Sequence, residues 1–281
     1  MPTIDWNTAI AYANLVAIAE SVPSSGSYGQ PQIDQITAAG YTFLQALYGD
    51  DLATDIDSHV GDVVSFGYLA VSPVTKELVA VIRGTATIWE WLQDASYLMV
   101  PCPVSGAHGF TEDGFTAVYR SLRIAPANGA QLAKDAIKDN LVAGTAACVT
   151  VCGHSLGGAL ATLLTLDVGL NTPCHTPTAY TYASPRTGDH TFANSFNATI
   201  AGCYRLANRQ DLVTKLPPVL PLPYEHVNTE FELNPPPNSM NPTIPCMHHL
   251  TTYLWLMDQF AGTGKYPLDA GCMATAAPQN V

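Results

Sequence analysis

ACVTVCGHSLGGALATLLTLDVGL (residues 147–170) opens on a continuous apolar run and closes on a strong helix former. Gly153-His154-Ser155-Leu156-Gly157, followed by Gly158, joins the two. An unbroken apolar run of this kind suits a central strand buried on both faces. G-x-S-x-G between such a strand and a helix is the setting of a nucleophile elbow. A side chain at 153 or 157 would collide with the adjoining strand or helix, so the turn needs glycine at both places. The serine then stands at the carboxyl end of a central strand with its hydroxyl exposed. Beside it lie the unpaired N–H groups and positive dipole end of the helix. From composition alone the five-residue pattern turns up in roughly one chain in ten of this length. The strand before it and the helix after it are what give it weight.

Working outward, VVSFGYLAV (63–71) and ELVAVIRGT (77–85) read as a β-hairpin around SPVTK. The stretch 109–140 has helical periodicity, interrupted near Pro126. TAYTYA (178–183) and CYRLA (203–207) are short strands with a helix, TFANSFNATI, between them. This alternation predicts an α/β protein with a mostly parallel central sheet flanked by helices. Ile4, Ala9, Tyr12, Val16 and Ala19 recur at helical spacing, so the chain begins with an amphipathic helix. Nine of the 21 prolines fall between Pro217 and Pro245, which predicts a long irregular excursion before a last helix at 249–260. No repeat or low-complexity linker divides residues 1–281, which read as one domain.

Eleven basic and 23 acidic residues give a formal charge of −12, and charged residues make up only 12% of the chain. With 47% hydrophobic residues, disorder is excluded. Nucleic acid is excluded as a partner because there is no basic stripe to neutralise phosphates. Eight acids precede the first basic residue, Lys76, which disfavours docking on anionic lipid. No run approaches the roughly 18 apolar residues of a transmembrane segment. The start lacks a basic region and carries Asp5, so no signal peptide is visible. That start fits a cytoplasmic protein or a secreted one whose signal has been removed. Of seven cysteines, Cys148 and Cys152 lie on one strand face, too far apart to bridge, and read as small core residues.

A serine hydroxyl needs a base, and the base an orienting acid, here in the order Ser, acid, His. Asp167 lies twelve residues along the nucleophile helix, about 18 Å off, and is out of reach. Asp189 reads as a helix N-cap. Asp211, after the strand CYRLA, falls on the same sheet edge as Ser155; capping a turn is the plain alternative for it. His154 must point away across the turn, and His175 and His190 precede the acid. That leaves His226, which lies in Pro-rich coil and suits a structural role, and the doublet His248 and His249, which the spacing favours. One oxyanion donor is the N–H of Leu156, and Arg83-Gly84-Thr85 supplies the second through Thr85. Ile88, Trp89, Trp91 and Leu92 form a short amphipathic helix, suited equally to burial or to a lid that opens against an oily phase.

Together these residues resemble the fungal-type class 3 lipases of the α/β-hydrolase superfamily, from about Phe66 to Met257. Arg83-Gly84-Thr85 with Trp91 and Asp94 resembles the family's oxyanion and lid segment. The resemblance implies that Thr85 is an oxyanion residue, that Asp94 steadies its hydroxyl, and that about 86–98 is a short helical lid. His108-Gly109-Phe110 resembles its turn after the lid, and Gly153 to Gly158 its elbow. Tyr182 to Gly188 is similar to its G-S-P-R-x-G strand end, with Ala183 in place of the usual glycine. Asn208 to Val213 carries the family's acid, Asp211, and Tyr224-Glu225-His226-Val227 its structural Y-x-H-V element. In many relatives the catalytic His precedes a Tyr by five positions, which His248 does with Tyr253. The implied protein is an α/β-hydrolase-fold serine ester hydrolase on acylglycerols or other acyl esters, at a lipid–water interface. Its triad is Ser155, Asp211 and His248, with no metal and no cofactor. A feruloyl-type or other soluble-ester esterase, or a catalytically silent lipase-like binding protein, stands as the alternative.

Overall fold

The computed structural model describes residues 3–51, 62–85, 97–127 and 129–274. Strands β1 (Thr42–Asp51), β2 (Asp62–Val71), β3 (Glu77–Ile82), β6 (Cys148–His154), β7 (Thr178–Tyr182), β9 (Gly202–Asn208) and β11 (Glu230–Leu233) form one sheet in that order. β1–β2 and β2–β3 are antiparallel, and every pairing from β3 to β11 is parallel. The parallel strands therefore all end at one edge, where an open α/β sheet places its ligands. β4 (Met99–Pro101), β5 (Phe110–Glu112), β8 (Gly188–Asp189) and β10 (Tyr224–Glu225) make a small second sheet.

Alternation along the strands splits the core into two layers, as a period of two requires. Leu69, Val71, Leu78, Ala80, Ile82, Val149 and Val151 face one side. There they meet α3 (Asp113–Ser121), α4 (Ala133–Val142), α5 (Leu156–Asn171) and α6 (His190–Thr199). Tyr68, Ala70, Val79, Val81, Cys152, Tyr180 and Tyr182 face the other. That side is covered by α1 (Trp6–Glu20), α2 (Gln30–Ala38) and α8 (Leu250–Ala261), with α7 (Ile244–His248) leading into α8. α5 is buried continuously from Leu156 to Gly169. A helix apolar on all sides has to lie at the centre, which sets Ser155 in the middle of the sheet edge.

Two expectations are corrected. Cys148 is exposed, because it opens β6 at the edge opposite the elbow; of the two, Cys152 alone is a core residue. The Pro-rich stretch is not wholly irregular, since β11 runs parallel to β9 as the sheet's last strand. Cys246 pairs with Cys272, tying α7 to the chain's last described turn. Among the described residues no helix is long and apolar enough to cross a membrane.

Glu112 caps α3, its carboxylate accepting the Phe115 N–H at 2.7 Å. It is 3% exposed, and burial lifts its carboxyl from 4.5 to about 7. The unfolded chain releases this proton near 4.5 and the folded one near 7, so stability falls as pH rises between them. The loss is on the order of 3 kcal/mol. Glu112→Gln keeps the acceptor and the shape without the charge. It is expected to raise the thermal midpoint clearly at pH 8 and hardly at pH 5; an equal change at both would mean that the carboxyl titrates normally.

Candidate active site

Ser155 joins β6 to α5 with φ 57° and ψ −127°, a strained conformation for a residue with a Cβ. The surrounding backbone imposes it. A Cβ on Gly153 would lie 2.1 Å from the Gly157 carbonyl oxygen, and one on Gly157 2.4 Å from that of Ile82. The Ser155 N–H donates to the Tyr182 carbonyl at 2.9 Å, fastening the turn to β7. Ser155 is 1% exposed, its hydroxyl facing an imidazole rather than open solvent.

That imidazole is His248, the last residue of α7. Its Nε2 lies 2.8 Å from Ser155 Oγ and its Nδ1 2.8 Å from Asp211 Oδ2. A carboxylate can only accept, so Nδ1 carries the proton and Nε2 is left to accept from the serine. Burial pushes His248 below the ordinary histidine value, against the pull of Asp211, so the ring is a free base at neutral pH. His249 is the exposed N-cap of α8 and touches neither group through the contacts that bind His248.

Asp211 is fully buried just beyond β9. Oδ1 accepts the Val213 N–H at 2.9 Å, and Oδ2 accepts from both His248 and the Tyr253 hydroxyl, the latter at 2.8 Å. Capping a turn and orienting a histidine are thus the work of two oxygens of one side chain. The Asn208 N–H donates to the Tyr253 hydroxyl at 3.0 Å, which locks that second partner. The five-residue spacing marked Tyr253; nothing in the sequence signalled its bond to Asp211.

His226 donates from Nε2 to the Thr214 carbonyl at 2.6 Å and braces the Asp211 loop. Burial, with Arg205 nearby, takes it down to about 3, so it stays neutral. Asp189 caps α6 through the Phe192 N–H at 2.7 Å. Asp167 binds the Tyr119 hydroxyl at 2.6 Å, away from the elbow. His154 turns away from the serine, but it passes under the elbow to the backbone of His248, held by Glu20. Sequence reading missed Glu20, which lies 134 positions from His154.

A cleft of about 400 Å³ opens beside Ser155 and His248. Thr85 lines it, carried there by Gly84, where an added Cβ would stand 3.1 Å from Ser155 Cβ. Leu156 is the first residue of α5, so its N–H has no carbonyl within the helix to bond. Asp94 and the lid residues Ile88, Trp89, Trp91 and Leu92 lie outside the described residues. Among the described residues no group of three side chains could hold a metal ion. A shielded serine hydroxyl facing a free-base imidazole, itself bound to a carboxylate, can attack a carbonyl carbon and pass its proton on.

A sequence model described as lipase (class 3) matches residues 79–220. Secreted mono- and diacylglycerol lipase 1 of Fusarium solani is 29% identical over 195 residues, covering 69% of this chain and 55% of that protein. Phospholipase A1-II 6 of Oryza sativa subsp. japonica is 29% identical over 187 residues, covering 57% and 44%. The chain thus spans about half the length of these curated relatives. Among solved structures, the Lip2 lipase of Yarrowia lipolytica superposes with TM-score 0.64 at 21% identity, covering 82% of this chain and 79% of that one. The lipase of Rhizopus microsporus var. chinensis gives 0.62 at 23%, covering 81% and 74%. These superpositions bear out the α/β-hydrolase fold, with its mostly parallel central sheet between helices.

Proposed function

The chain belongs to the class 3 lipase family, and from that premise we propose that it hydrolyses acyl esters, acylglycerols among them, as a serine ester hydrolase. The observation that carries the reading is the unbroken line from Ser155 Oγ through His248 to Asp211, each contact 2.8 Å. Ser155 Oγ attacks the ester carbonyl as its proton moves to His248 Nε2. The N–H of Leu156 and Thr85 receive the oxyanion, and Asp211 stabilises the imidazolium that forms. His248 returns the proton to the departing alcohol. Water, activated by the same ring, then releases the acid from the acyl-enzyme. No metal or cofactor enters these steps.

Residues 1–281 act in this reading as one unit, with a lid at about 86–98 and Asp94 steadying Thr85. Exposed Leu212, Val219, Leu220 and Ile244 lie on the loop and helix that carry Asp211 and His248, which favours work at a lipid–water interface. Arg83, His249, Thr251 and Asp269 on the cleft wall favour a substrate with a polar portion, and so keep a soluble-ester esterase as the second reading.

The purified protein is expected to turn over p-nitrophenyl esters and to take up one organophosphonate per chain, at Ser155. A profile of emulsified long-chain against soluble short-chain esters separates the two substrate readings. Absence of both label and turnover would instead mean a silent binding protein.

A further inference from the structure

The residue before the nucleophile takes no part in the steps above, yet its ring is held on both sides. His154 Nδ1 lies 2.8 Å from Glu20 Oε1, and its Nε2 lies 2.8 Å from the backbone carbonyl oxygen of His248. The two imidazole rings pack with centroids 4.8 Å apart and planes inclined by 37°. Both partners of His154 are acceptors, since neither a carbonyl nor an ionised carboxylate has a proton to give. A neutral imidazole owns one N–H and can satisfy only one of them. The doubly protonated ring satisfies both.

We propose that Glu20 and His154 are a positioning pair for the catalytic base. The carboxylate holds the His154 ring doubly protonated, and the second N–H of that ring fixes the His248 backbone so that its side chain stands on Ser155. The proposal rests on the reading of Ser155 and His248 given above. His248 ends α7, where the last carbonyls of a helix lack partners within it, and His154 supplies one. Glu20 is the last residue of α1, so the first described helix takes part in placing a base found far along the chain.

The charged and titratable groups around His154 come from five elements. They are Glu20 from α1, Arg83 beyond β3 acting on Glu20, Asp211 beyond β9, His248 from α7 and Tyr253 from α8. Burial, the largest influence, opposes a charge on His154, but Glu20 together with the His248 carbonyl and Asp211 holds the ring above the ordinary histidine value. Glu20 is held below its own ordinary value by His154, again in spite of burial. A cation against one face disfavours a second on His248. There the charge of His154 counts for more than that of Glu20 and adds to the effect of burial. The pair thus opposes protonation of the base as well as placing it.

The test is kcat and KM on p-nitrophenyl butyrate across a pH series, each preparation normalised to sites titrated with an organophosphonate. In Glu20→Gln the amide can donate to a neutral Nδ1, leaving Nε2–H on the His248 carbonyl. That variant is expected to keep kcat at its optimum within about threefold of the parent. Its acid limb of kcat/KM should move up, because the cation beside the base is gone and its effect on His248 exceeds that of the Glu20 anion lost with it. His154→Ala, which also releases the carbonyl, should lower kcat by about tenfold or more with KM within about twofold. Adding Glu20→Gln to it should cost nothing further, since the two act as a unit. An unmoved acid limb in Glu20→Gln, or additive losses in the double variant, overturns the proposal. Should His154→Ala give no titratable sites, the acid limb of Glu20→Gln decides alone. A parent protein that takes no label at Ser155 defeats the nucleophile reading instead, so the two failures are read apart.

Discussion

His248→Ala is expected to lower kcat on a soluble p-nitrophenyl ester by about 10⁵-fold, with KM little changed. His249→Ala is expected to stay within about tenfold of the parent. The contrast follows from geometry. Only His248 has one ring nitrogen 2.8 Å from Ser155 Oγ and the other 2.8 Å from the Asp211 carboxylate. Without that ring the serine must give up its proton to water, so the loss falls on the chemical step rather than on binding. Ser155→Ala should cause a loss of the same size. The double variant Ser155→Ala, His248→Ala should be no worse than either, because a nucleophile without its base and a base without its nucleophile are equally idle. What survives is the contribution of the oxyanion donors and of substrate binding. His249 is exposed at the N-cap position of α8 with no side-chain bond to that helix, so its removal touches only the cleft wall. Equal losses at 248 and 249, or a large loss at 249 alone, would reassign the base.

How far such a site could be read beforehand depended on whether its determinants were local. The elbow is local: a strand, two glycines that tolerate the turn, and a helix, all within 24 residues of one another. Asp211 and the histidine doublet were reachable because parallel strands must end at one edge, so chain order constrains space. The choice within the doublet came from a five-residue spacing to Tyr253. The physical content of that spacing is one turn and more of α8, which lets the Tyr253 hydroxyl and the His248 ring meet on one carboxylate oxygen. Glu20 was not legible, because no local pattern announces that the end of an N-terminal helix will meet a residue 134 positions on. Cys148 misled because period-two reasoning ranks residues by face and says nothing of where along a strand the layers stop covering it. β11 hid in Pro-rich sequence since an edge strand needs hydrogen bonds on one side only, and so tolerates a poor pattern.

Asp211→Asn is expected to lower kcat by about 10³- to 10⁴-fold while leaving the fold and KM largely intact. The two carboxylate oxygens do different things, and an amide cannot do both. If the amide NH₂ takes the place of Oδ2, it faces His248 Nδ1, where it needs a lone pair. The ring must then carry its proton on Nε2, directed at Ser155 Oγ, and it can no longer accept the serine proton. In that orientation the Tyr253 hydroxyl also loses the acceptor it now has at 2.8 Å. If the NH₂ takes the place of Oδ1, it confronts the Val213 N–H, which now donates at 2.9 Å, and a buried donor is left without a partner at a cost of about 1–3 kcal/mol. The tautomer is then correct, but no negative charge remains to stabilise the imidazolium that forms as Ser155 attacks. Both orientations therefore slow the chemical step, the first by preventing proton transfer and the second by leaving its product unsupported. Asp211→Ala tests the difference, because it empties the site without imposing a tautomer. It should cost less than Asp211→Asn if the first orientation prevails, and at least as much if the second does. A kcat for Asp211→Asn within tenfold of the parent would mean that another group orients His248.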